Sequence, residues 1–133
     1  MKTLLLAIAF FPLIALADPT DLTPARWLPE GTYGATGASL TVNAHSAQLD
    51  LPCAIGRIPN RPSIDDRGLF SVEGFYTSRL QMRPRAEYPA TFSGRLSGQS
   101  VWIHVAVHAR GFIQNYNYGP LDFGRQGNFM RCL

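Results

Sequence analysis

From residue 31 onward, apolar residues recur mostly at every second position, in short runs broken by Gly, Pro, Asn and Asp. A period of two is that of strands with one buried face; helices would show a period near 3.6. The pattern predicts strands near 31–35, 38–43, 47–51, 69–77, 90–96, 100–109, 112–118 and 128–132, after an extended Pro-containing lead over 18–29. Turn chemistry separates these runs. Asn43, Ala44, His45 and Ser46, and again Asp65, Asp66, Arg67 and Gly68, supply residues that close β-turns, and Gly98 with Gln99 suits a tight hairpin. An Asp-Asp-x-Gly segment carries too few oxygens for calcium, which needs six or more in a fixed frame. The expected fold is therefore all-β: a small antiparallel meander barrel or rolled sheet of about eight strands, since closure removes exposed edges. A two-sheet β-sandwich is the alternative.

The first residues follow a different rule. MKTLLLAIAFFPLIALA places Lys2 before an apolar run from Leu4 to Leu16 and closes on the small residues Ala15 and Ala17. This is the layout of a cleavable signal peptide over 1–17, with cleavage near Ala17. The run is short of the ~20 apolar residues that span a bilayer, and no cysteine follows it to carry a lipid. The expectation is an exported protein, periplasmic or secreted, with no stable membrane insertion and one β domain over 30–133.

Export changes the meaning of the two cysteines. In an oxidising compartment thiols pair, and Cys53 with Cys132 is the single pairing available. Such a bridge would remove roughly 4–5 kcal/mol of loop entropy from the unfolded chain. Zinc is the competing idea, but it needs three or four ligands at close spacing, and neither cysteine has a neighbouring His or Cys. No metal and no cofactor are expected.

Of the twelve basic residues one is Lys2 and the others are Arg, against nine acids. Arg57, Arg61 and Arg67, then Arg79, Arg83 and Arg85, spread through turn-like segments instead of forming a basic face, so nucleic acid is not an expected partner.

Several motifs occur in a recognisable order: GTYG at 31–34, CAIGRI at 53–58, PSIDDRGLFSVEGFY at 62–76, PATFSGRLSG at 89–98 and the closing RCL. Together they resemble a family of small exported bacterial β-proteins of unassigned function in which a mid-chain Cys and a C-terminal Cys recur. Tyr33, Phe92 and the stretch Thr77 to Arg85 depart from that pattern. The resemblance implies a fold and a cysteine arrangement, and no catalytic or ligand-binding residue.

Candidate chemistry lies in two segments. In VWIHVAVHA, His104 and His108 have the i, i+4 spacing that chelates zinc on a helix. The segment reads as a strand, however, on which they share a face but stand roughly 13 Å apart. Val101, Ile103, Val105 and Val107 would then face the core, leaving Trp102, His104, Ala106 and His108 opposite. The second segment, Gln114 to Tyr118, interleaves amides with Tyr116 and Tyr118, either as a contact surface or as a strand with Tyr packed inside and Asn exposed. Trp102, His104, His108, Tyr116 and Tyr118 are thus the candidate binding surface.

Neither a G-x-S-x-G elbow, nor a free Cys with a partner His, nor a phosphate-cradling Gly-rich loop is present. Asp50, Glu73 and Glu87 could pair as acid and base only if the fold brought them together. The sequence thus favours a non-enzymatic binding or structural module acting as a monomer on a protein, peptide or glycan. An inhibitor of a hydrolase such as lysozyme, and a small hydrolase whose site forms only in three dimensions, are the alternatives.

Overall fold

The computed structural model describes residues 26–78 and 86–129. The signal segment 1–17 and Cys132 lie outside the described residues. Ten strands are present: β1 (Arg26–Trp27), β2 (Gly31–Ala35), β3 (Ala38–Val42), β4 (Ala47–Leu51), β5 (Ala54–Ile58), β6 (Ser63–Ile64), β7 (Leu69–Ser78), β8 (Glu87–Ser97), β9 (Ser100–Ala109) and β10 (Phe112–Phe123). Eight of them close an antiparallel barrel in the order β10-β2-β3-β4-β5-β7-β8-β9, while β1 and β6 pair as a separate two-stranded ribbon. Among the described residues there is no helix. The barrel, and not the sandwich, is the architecture.

The alternation seen in the sequence is the wall of this barrel. Leu40 and Val42 of β3, Leu49 and Leu51 of β4, and Val101, Ile103, Val105 and Val107 of β9 all point inward and are buried. Their neighbours Thr41, Gln48, Trp102 and His108 remain partly or fully exposed.

Small residues let the interior close around one large ring. Phe92 of β8 is fully buried, and a Cβ placed on Gly56 or Gly74 would press on that ring. The glycines of β5 and β7 thus make the space Phe92 fills.

The two halves of the barrel differ in length. Strands β2 to β5 have five residues each, whereas β7 to β10 have ten to twelve. The long strands build a broad four-stranded wall. Its β8–β9 hairpin is tight: Gly98 takes φ 63° at the first position of the Gly98-Gln99 turn, as a two-residue hairpin of type II′ requires. In β10 the register shifts between Tyr118 and Leu121, which face Ile103 and Val101 of β9. This bulge of one extra residue restores parity, so that Leu121 points inward as Tyr118 does.

Closure rests on few residues. β10 meets β2 at Asp122 with Gly34 and Phe123 with Tyr33. The chain then turns back, and Asn128 makes a parallel bridge to Thr36 while its carbonyl accepts a hydrogen bond from Gly37 N at 2.8 Å. This returning segment covers the outer side of Gly34 and Ser39. The strand expected over 128–132 is represented by that one bridge, and residues 130–132 of it lie outside the described residues. Meanwhile β5, which the sequence reading placed in a connection, is the eighth barrel strand.

The end of the Pro-containing lead is tied to the barrel. Leu28 is fully buried, its N–H donates to Pro62 O at 2.9 Å and its carbonyl accepts from Arg61 Nε at 3.0 Å.

Candidate functional site

The outer surface of the four-stranded wall carries two rows of residues that cross all four strands. Leu69, Arg95 and Trp102 stand side by side on β7, β8 and β9, with the Gly119 bulge of β10 completing the row. Two residues along lie Ser71, Ser93, His104 and Asn117. In front of Leu69, Arg95, Trp102, Ser93, His104 and Asn117 opens a concavity of about 680 Å³.

Each member is positioned by the strand ladder. Trp102 is 39% exposed; its edge runs close to Gly119, where a Cβ would meet Trp102 Cδ1 at 3.0 Å. The absence of a side chain at 119 therefore leaves room for the indole. On the other side the Arg95 guanidinium lies 5.4 Å from the Trp102 ring centre, a cation–π contact that holds the long side chain in place. His104 is gripped from β10: its Nδ1 is 2.7 Å from Asn117 Oδ1 and its Nε2 is 3.0 Å from Asn115 Oδ1. Facing two amide oxygens, an imidazolium donates to both; a neutral ring donates to one and needs the other amide turned to offer its NH₂.

A third row continues the face. Thr91 Oγ1 donates to the Glu73 carboxylate at 3.2 Å and lies 3.3 Å from His108 Nε2. Hence Trp102, His104 and His108 share the outer face. Tyr116 and Tyr118 do not: they point inward and pack against the core. The places they would have taken on the surface belong to Asn115 and Asn117, which the sequence reading had treated only as the polar alternates of a tyrosine strand. Arg95 was missed as well, since nothing in a linear sequence announces that it stands across from Trp102.

The tyrosines form their own cluster inside one end of the barrel. Tyr76 stacks on Tyr116 with ring centres 5.8 Å apart, and Tyr116 donates to Gln114 Oε1 at 2.8 Å. Burial, with smaller contributions from Tyr118 and Tyr116, pushes the Tyr76 phenol up to about 12. Tyr118 is raised too, again first by burial. These phenols stay neutral at physiological pH and close the end of the core.

The three acids considered for hydrolysis are each engaged elsewhere. Asp50 accepts from Gln48 at 2.9 Å, Glu73 from Thr91, and Glu87 pairs with Arg57 at 2.6 Å. Glu73 and Glu87 sit on the outer face two rows apart, roughly 13 Å along the wall. Asp65 is spent on its own turn: Oδ1 accepts from Arg67 N at 2.8 Å and Leu69 N at 2.9 Å, and these bonds hold its carboxyl below the usual range. Arg67 adds a positive charge beside it in the same loop. Among the described residues no group of three or more His, Cys, Asp or Glu could hold a metal ion.

Compared with models of known families, with curated proteins and with solved structures, the chain matches none.

Proposed function

We propose that this protein is an exported, non-enzymatic binding module that engages its partner through the outer face of β7 to β10. The observation that carries this reading is the Trp102–Arg95 pair standing at the edge of the 680 Å³ concavity. A large aromatic side chain left partly exposed among ordered polar groups is what binding surfaces use as an anchor. The rest of the barrel is well filled by its own core and serves as a rigid frame.

The course of the chain supports a Cys53–Cys132 bridge as part of that frame. Cys53 occupies the β4–β5 turn, at the same end of the barrel as the β2–β3 turn where Asn128 is anchored. The two turns are about two strand spacings, ~10 Å, apart, and four residues beyond Asn128 reach ~13 Å. The signal-like opening and a motif order that resembles that of small exported β-proteins fit the same address.

The test uses immobilised mature protein exposed to periplasmic or extracellular extract. Trp102→Ala and His104→Ala are each expected to abolish retention of the bound component without changing the thermal unfolding midpoint by more than a few degrees. Retention equal to that of the unaltered protein sinks the outer face as the binding surface.

A further inference from the structure

We infer that the concavity beside Trp102 takes an acidic saccharide, a pyranoside chain bearing carboxylates, with Arg95 as the carboxylate receptor. This rests on the outer-face reading above and names the ligand class for it.

The first step compares two arginines. Arg61 lies over Trp27 at 5.7 Å much as Arg95 lies over Trp102. Arg61, however, is committed: it donates to Leu28 O and stands 3.9 Å from the Glu30 carboxylate. Arg57 and Arg125 likewise have carboxylate neighbours. Among the described residues Arg95 has no acidic partner, yet its guanidinium is held against an indole at the mouth of the concavity. An exposed guanidinium held over an indole and without a carboxylate neighbour is suited to binding a carboxylate through two parallel hydrogen bonds.

The second step concerns what else the ligand must be. β8 and β9 are interior strands, paired along their length on both sides, so their backbone groups are consumed by the ladder. An extended peptide recognised by strand addition finds no main-chain partner there. The ligand must be read by side chains alone. Those on offer are Ser93 and Asn117, the latter held in place by His104, both able to bond hydroxyl groups, next to the apolar edge of Trp102 and Leu69. On β8 and β10, about two strand spacings (~10 Å) apart, they suit a chain of rings with hydroxyls along its rim and an apolar C–H face. Arg95 adds the demand for negative charge.

Binding is measured by Trp102 fluorescence in the full mature chain, in a Trp27→Phe background so that one indole reports. The probes are tetragalacturonate, neutral cellotetraose and tetraglutamate. Tetragalacturonate is expected to give a saturable change, at least tenfold tighter than cellotetraose, with no saturable response to tetraglutamate. Arg95→Gln should weaken tetragalacturonate binding at least tenfold, whereas Arg110→Gln, the same charge change at the β9–β10 hairpin tip, should leave it within twofold. Equal effects of the two substitutions, equal binding of tetraglutamate, or no saturable response to tetragalacturonate overturns the proposal. If tetragalacturonate fails while Trp102→Ala still abolishes retention from extract, the ligand class falls and the outer-face reading stands.

Discussion

Phe92 lies against the bare backbone of Gly56: a Cβ there would come within 2.7 Å of Phe92 Cε1 and 3.3 Å of Leu49 Cβ. The pair sets the bore of the barrel. Gly56→Ala should cost about 1–3 kcal/mol, the usual range for overpacking. Phe92→Ala, by emptying the same space, should cost about 3–5 kcal/mol. Combining Gly56→Ala with Phe92→Leu should be less damaging than the sum by at least ~0.5 kcal/mol, because the shorter side chain yields room for the new methyl. Urea unfolding of the four proteins of the cycle measures this, and strict additivity refutes the contact.

The tyrosine cluster predicts an alkaline limit to stability. An unfolded tyrosine ionises near 10, but Tyr76 in the barrel holds its proton to about 12. The folded state therefore binds more protons than the unfolded state in this window. The stability that the neutral phenol contributes is fully present below pH 10 and is lost as pH rises from 10 towards 12. Absorbance of phenolate near 295 nm should show part of the tyrosine signal appearing only with loss of tertiary circular dichroism, and Tyr76→Phe should move that unfolding to higher pH. An early, fully reversible titration of every tyrosine counts against it.

Not every contact on the surface bears weight. Arg57 and Glu87 meet at 2.6 Å, but their side chains are 59% and 46% exposed. Solvent screens such pairs, so Arg57→Gln should change stability by less than about 1 kcal/mol, with a smaller effect still in 1 M salt. Thermal unfolding at two ionic strengths checks both statements.

The inferred bridge has a chemical signature. Intact mass of the exported protein after alkylation under denaturing, non-reducing conditions should show no added label, and Cys53→Ser should lower stability by roughly 4 kcal/mol. Two labels per chain would refute it.

How much of this was readable from the chain depends on what each residue touches. The alternation of Val101 to Val107 with Trp102 to His108 needs only a period of two, and the barrel uses it as the sequence suggested. β5 escaped because Gly56 and the flanking Pro residues look like a connection; the glycine is there to admit a ring from residue 92, a tertiary cause with no local trace. Residues 112–118 alternated clearly, but alternation does not say which parity faces out. The register with β9 decides it, placing Asn115 and Asn117 beside His104 and turning Tyr116 and Tyr118 inward. Similarly, Arg95 and Trp102 are neighbours only through the Gly98-Gln99 hairpin.

The seam at Tyr33 with Phe123 also governs the order of events during folding. Its two strands are about ninety residues apart in the chain, so the loop that must close is nearly the whole domain, and closure of this kind is slow. Until Phe123 has been synthesised and docked, β2 and β10 are open edges, able to pair with another chain as readily as with each other. Conditions that delay the last docking event should therefore favour dimers by strand exchange over simple unfolding.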